Sequence, residues 1–163
     1  MRSSQFTAGV LVALLALAFP ARTADTGTIY DTLTARDGHT VLAVAAKEAA
    51  EVAALKGTTQ YTLFAPLDSA FKKLDDTTIG EIATKKDVVQ RLLRSHLVAG
   101  RYTVADLKKP DSKELKTVHG NVLKVEDTKD GLLVGGVKIV TADIVCSNGV
   151  IHTTDSTLPL PKE

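Results

Sequence analysis

Apolar positions along this chain change their period near the middle. Over residues 40–55, Val41, Leu42, Val44, Ala45, Ala49, Val52 and Leu55 recur at helical spacing, and Gly57 supplies a stop. The run Tyr61-Thr62-Leu63-Phe64-Ala65 follows and predicts a strand closed by Pro66. Asp68 stands where an N-cap would open a short helix through Ala70 and Phe71. Thr78 and Glu81 have capping-box spacing in front of Ile79, Ile82 and Ala83. Asp87 and Gln90 mark a similar start for a helix with Val89, Leu92, Leu93 and Leu97 on its apolar face. His96 lies among them, and Gly100 ends the pattern.

After Tyr102 the period falls toward two. Leu115, Thr117, Asn121, Leu123 and Val125 alternate with more polar positions. Asp130-Gly131, Gly135-Gly136 and Asn148-Gly149 separate short apolar runs and predict the tight turns of an antiparallel meander. A type I′ turn needs positive φ at both central residues, which is why such pairs favour it. Helix signals in the first half and hairpin signals in the second point to an α+β fold, not to alternating βαβ units.

The first 24 residues follow different rules. They contain no acid; Arg2 is followed by an unbroken apolar run over residues 8–19, and small residues lead to Ala24. A charged start, a short apolar run and an Ala-x-Ala-like end predict a secretory signal peptide cleaved between 18 and 24. Twelve apolar residues at about 1.5 Å each cover about 18 Å, short of a bilayer core about 30 Å thick. Residues 25–163 are then expected to form one domain with no membrane span after cleavage.

Composition narrows the function classes. The chain has 163 residues, 44% hydrophobic, with 20 Lys and Arg against 19 Asp and Glu. Removing Arg2, or Arg2 and Arg22, leaves a net charge of 0 or −1. No basic surplus exists to neutralise phosphates, so a nucleic-acid partner is not expected. The lone Cys146 excludes an internal disulfide and a multi-cysteine zinc site. Between Val145 and the turn it reads as a small buried residue.

Candidate chemistry is sparse. His152, Asp155 and Ser156 contain the groups of a hydrolytic triad, but residues three apart on a strand face opposite ways. No G-x-S-x-G elbow exists to expose a nucleophile. His39, His96, His119 and His152 are scattered without ligand spacing. Lys129 interrupts the acids of 127–131 where a calcium loop needs one. Gly135-Gly136 lacks the following helix of a phosphate cradle. No enzyme, no metal and no cofactor is expected.

Three segments in order resemble the fasciclin (FAS1) domain. YTLFAPLDSAF (61–71) resembles its first signature, LLRSHLVAG (92–100) its central Tyr–His segment, and DIVCSNGVIHTTD (143–155) with LPLP (158–161) its second. Ser95 stands where the family often has Tyr, and Cys146 where a small residue such as Ala is usual. The resemblance covers residues 28–161, and the layout is similar to bacterial secreted single-domain members. It implies a β-sandwich-like wedge with helices packed around it. Thr62, Phe64, Ala65, Pro66, Asp68, Phe71, Leu93, His96, Gly100, Asp143, Ser147, Asn148, Gly149, His152, Asp155, Leu158 and Pro161 are the matching signature positions, structural or interacting. Phe64 and Phe71 would anchor the core, Pro66 would set the chain's exit, and Asn148-Gly149 would set hairpin register. His96 would be buried and satisfied by a hydrogen bond.

The implied function is an exported, non-catalytic cell-adhesion or protein-interaction module, monomeric, in the periplasm or outside the cell. Its partners would be cell-surface or matrix proteins or polymers. The alternative is an extracytoplasmic carrier of an apolar small molecule such as a carotenoid or lipid, because some fasciclin-like proteins bind carotenoids. An aromatic content of 4% weighs against an aromatic-lined polyene site.

Overall fold

Thr28 opens the first helix of the structure, a computed structural model that describes residues 27–160. The expected leader and its cleavage site, and Pro161, lie outside the described residues. Helix α1 (Ile29–Ala35) starts with a reciprocal cap between Thr28 and Asp31. The helical period over 40–55 is divided into α2 (Thr40–Glu48) and α3 (Val52–Lys56). The division falls at Ala50, whose φ is 57°. Ala50 N–H donates to Lys47 O at 3.2 Å and Glu51 N–H to Ala46 O at 3.1 Å, the Schellman pattern that closes α2. The expected continuous helix is therefore two, because an alanine takes the left-handed position usually given to glycine.

Three expected caps are built differently. Helix α4 (Asp68–Phe71) begins at Asp68, but the Asp68 carboxylate does not cap it. It accepts the N–H groups of Val41 at 2.8 Å and Thr40 at 3.2 Å, so it caps α2. Helix α5 (Asp76–Thr84) is capped by Asp75, which takes the Thr78 N–H at 3.0 Å. Thr78 is thus the donor and not the cap. Helix α6 (Lys86–Ser95) has no side-chain cap. Its Asp87 pairs with Arg91, while Gln90 Nε2 donates to Ala49 O at 2.9 Å and ties α6 to the end of α2. Helix α6 stops at Ser95, so Leu97 lies in the strand that follows and Gly100 lies beyond it.

The strands are β1 (Tyr61–Pro66), β2 (Leu97–Ala99), β3 (Glu114–Lys116), β4 (Val122–Thr128), β5 (Gly131–Val134), β6 (Val137–Cys146) and β7 (Gly149–Thr154), with a short helix α7 (Val104–Leu107) after β2. They form one sheet in the order β2-β1-β7-β6-β5-β4-β3. Strands β1 and β7 pair in parallel from Tyr61↔Gly149 to Pro66↔Thr154; every other pairing within the sheet is antiparallel. The two edges come together where Val98 bridges Thr117 and Val118 N–H donates to Leu97 O at 2.7 Å. The sheet is nearly closed.

Two cores result. Ile29, Leu42, Leu63, Phe71, Leu92 and Ile151 pack between helices and sheet. Phe64, Leu107, Leu123, Val134 and Leu158 pack on the sheet's other side. Strand β1 sends Leu63 and Ala65 to the first and Phe64 to the second, as a period of two requires. Burial on both faces explains its unbroken apolar run.

Of the three expected turns, Gly135-Gly136 has positive φ at both positions, 59° and 81°, between paired Val134 and Val137. At the other two the loop residues are Lys129-Asp130 and Ser147-Asn148, and the glycine is the first residue of the next strand. Among the described residues only Ala50 and Asp143 are non-glycines with positive φ, so Asp130 and Asn148 do not form type I′ turns.

Candidate functional site

The parallel β1–β7 pair brings the first and second signature segments side by side. Along this seam, signature side chains bind backbone. Thr62, fully buried, donates its hydroxyl to Gly100 O at 2.8 Å and accepts the Tyr102 N–H at 2.9 Å. Pro66 is the last residue of the pairing, opposite Thr154, and the Leu67 N–H donates to Thr154 O. Gly100, with φ of 103°, donates its N–H to Gln60 O at 2.9 Å. Ala65, Phe71 and Leu93 are core residues.

Asn148 ties three segments together. Its Oδ1 accepts the Ile29 N–H at 2.8 Å, and its Nδ2 donates to Leu55 O and Gly57 O, each at 2.8 Å. The side chain is 3% exposed, so these bonds replace water that cannot enter. Beside it, a Cβ on Gly149 would lie 1.9 Å from Tyr61 O. That position needs glycine for close approach of β1. Ser147 is exposed, and its N–H donates to Gly27 O.

Both signature histidines are buried and have partners on both ring nitrogens. His96 Nδ1 donates to Leu92 O at 2.6 Å, and its Nε2 accepts the Leu158 N–H at 2.9 Å. A carbonyl on one side and an amide on the other fix a neutral ring protonated at Nδ1. Burial pushes its pKa down to about 4, against the opposing pull of the Leu92 carbonyl. His152 has the opposite tautomer: Nε2 donates to Tyr102 O at 2.7 Å and Nδ1 accepts the Asp143 N–H at 3.2 Å. Its ring stacks on Phe64 at 5.6 Å, and burial lowers its pKa. Asp143 sits at a register shift in β6 with φ of 56°, and its Oδ1 accepts the Val104 N–H at 2.8 Å.

The triad candidates do not assemble. The His152 ring serves Asp143 and Tyr102, Ser156 Oγ accepts from Lys73, and the Asp155 N–H donates to Lys138 O. Among the described residues no group of His, Cys, Asp and Glu is placed to hold a metal. Nor is any described helix long and apolar enough to cross a membrane.

A different feature has the shape of a binding site. A groove of about 910 Å³ lies between α2, α4, α5 and the start of α6. Val41, Val44, Phe71, Ile79, Ile82 and Val89 supply its apolar lining. Val44 is 54% exposed, Ile79 41% and Val41 38%. Glu48, Asp68, Lys72, Lys85 and Lys86 supply its charge. None of these but Asp68 and Phe71 belongs to the signature segments. The signal was present in α2, where Val41 and Val44 add a second apolar stripe to the buried one of Leu42, Ala45, Ala46 and Ala49.

The comparisons agree with this architecture. The fasciclin domain family model matches residues 37–161. Protein sll1483 of Synechocystis sp. (strain PCC 6803) is 32% identical over 138 residues, which cover 82% of this chain and 74% of that protein. Immunogenic protein MPB70 of Mycobacterium bovis is 31% identical over 102 residues, 63% of this chain and 51% of that one. A FAS1 domain pair from the insect cell adhesion molecule fasciclin I matches with a TM-score of 0.73 at 20% identity, over 83% of this chain and 51% of that one. On the family match over most of its length, supported by these relatives, the chain belongs to the fasciclin domain family, among its bacterial members.

Proposed function

We propose that this protein is an exported adhesion or protein-interaction module without catalytic activity, acting as a monomer in the periplasm or outside the cell. The observation that carries this reading is the commitment of His96 and His152. Each ring nitrogen is bound to a backbone group or a fixed donor, which leaves neither histidine available as a general base. The leader of residues 1–24 supports export. The adhesion role of the insect relative supports a partner at a cell surface or in a matrix. The test is binding of purified protein to the envelope of its own source. Saturable binding, displaced by excess unlabelled protein, is the expected result. Failure to bind any surface or matrix fraction, or hydrolysis abolished by Ser156→Ala, refutes the reading.

A second reading, a carrier of an apolar small molecule such as a carotenoid or lipid, is favoured by the groove. Its volume of about 910 Å³ lies within the range of about 300–1,000 Å³ common for small-ligand sites. An absorption spectrum and native mass of protein from its own source test it. A visible chromophore or bound lipid supports the carrier; a colourless, ligand-free protein counts against it.

A further inference from the structure

We propose that Asn148 is a covalent modification site, an asparagine that the folded seam protects from deamidation and that an unfolded chain exposes to it. The fold itself fixes a labile pair at this point. Asn148 offers an acceptor to the Ile29 N–H and donors to Leu55 O and Gly57 O, a combination that an amide supplies and a carboxylate does not. The next residue must be glycine, because a Cβ there would lie 1.9 Å from Tyr61 O. With no side chain on Gly149, nothing hinders its backbone nitrogen from reaching the preceding amide once the chain is free. The Gly149 nitrogen then attacks Asn148 Cγ: the N–Cγ bond forms, the Cγ–Nδ2 bond breaks, and Nδ2 leaves as ammonia with the proton of the Gly149 N–H. Water opens the resulting cyclic imide at either carbonyl, giving aspartate or isoaspartate.

In the folded protein both reacting groups are held. The amide is fixed by its hydrogen bonds, and the Asn148–Gly149 peptide by its carbonyl, which accepts the Tyr61 N–H at 3.1 Å. The side chain is buried from the water that the second step consumes. Unfolding removes both restraints. Neither product restores the site. Aspartate turns a carboxylate oxygen toward two carbonyls, and isoaspartate lengthens the backbone of the Ser147-Asn148 loop, which shifts Gly149 away from its partners Cys146 and Tyr61. Deamidation therefore makes unfolding irreversible by chemistry within the chain. Asn121 is the contrast: Val122 follows it, and the branched side chain shields the nitrogen. Its Oδ1 accepts the Thr117 hydroxyl, a role that an acid oxygen keeps.

The test holds purified protein folded in buffer and unfolded in guanidinium chloride at the same mildly alkaline pH, and follows both asparagines by peptide mass spectrometry. Asn148 should convert at least about a hundredfold faster in the unfolded chain than in the folded one. Within the unfolded chain it should convert at least about tenfold faster than Asn121. After removal of denaturant, size-exclusion chromatography separates refolded protein from the rest. Converted Asn148 should be confined to the fraction that does not refold, and converted Asn121 should occur in both. Rates at Asn148 that differ by less than about tenfold between folded and unfolded protein would overturn the proposal. So would refolded protein that carries the converted residue and melts at the parent temperature.

Discussion

Along the β1–β7 seam, Thr62, Asn148, His96 and His152 are buried, and their polar atoms are matched to named backbone groups. On the face made by α2 and α5, Val41, Val44 and Ile79 are left a third to a half exposed, beside two lysines that have no hydrogen bond or ion pair among the described residues. The seam is where the signature residues gather; the groove is where surface remains to be covered. A buried polar group without a partner costs about 1–3 kcal/mol, so a network such as the seam tolerates little change. An exposed valine contributes little to folding and is open to change for binding. The comparison teaches that the recognisable motif marks the framework, and that recognition of a partner has to be sought elsewhere.

The largest effect should come from Gly149→Ala. The new Cβ would meet the Tyr61 carbonyl at 1.9 Å, and both atoms belong to paired backbone that cannot rotate away. We expect a loss of more than about 4 kcal/mol, enough to prevent folding, read by circular dichroism and thermal melting. A variant that melts near the parent temperature would mean the seam can open, and the contrast with the groove would fail.

Next is the pH dependence. His96 has a folded pKa of about 4 against an ordinary value of about 6.5, so the unfolded chain binds the proton more readily. Its stabilisation is complete above pH 6.5 and is lost as pH falls toward 4, by about 3 kcal/mol in all. Burial lowers His152 and His39 as well, so both act in the same direction. Urea midpoints measured between pH 7 and 4 should fall over that window, and a flat profile would show that the rings are not held neutral. Asn148→Ala should lose a similar amount, about 3 kcal/mol, because Leu55 O, Gly57 O and the Ile29 N–H lose their partner. Asn148→Asp should be worse than Ala, since it turns a carboxylate oxygen toward two carbonyls; better stability in that variant would mean water reaches the site.

Much of the seam was legible in the sequence because its features are local. The apolar run of β1 is visible because both faces are buried, and His96 stood out as a polar group on an apolar helix face. What was not legible depends on distant partners. Asp68 has the residue type of a cap, but the helix it caps lies 27 residues upstream. The parallel pairing of β1 with β7 joins strands separated by most of the domain, and no local pattern encodes it. The end of α2 was missed for a different reason: the left-handed position carries Ala50, so the usual glycine signal is absent. That strain gives a smaller prediction. Ala50→Gly should stabilise the fold by about 1 kcal/mol, since a left-handed alanine costs about 1–2 kcal/mol and glycine returns part of this through its more flexible unfolded chain. A lower melting temperature in this variant would contradict the assigned backbone.

The smallest expected effect is the one that separates the two regions most sharply. Val44→Ser removes two methyl groups and adds a hydroxyl on a side chain that is 54% exposed. If the groove face contributes nothing to folding, the change should alter stability by less than about 0.5 kcal/mol. Leu42, two residues earlier on the same helix, is fully buried in the first core, and Leu42→Ala should cost about 2–5 kcal/mol. The pair therefore measures the two faces of one helix with a single method, urea denaturation. A near-zero value for Val44 beside a large one for Leu42 means that the apolar character of the outer face is not explained by folding, and leaves binding as its physical reason. A loss above about 1.5 kcal/mol at Val44 would instead make the groove wall part of the core's support, and the division between framework and contact surface would have to be redrawn along α2 itself.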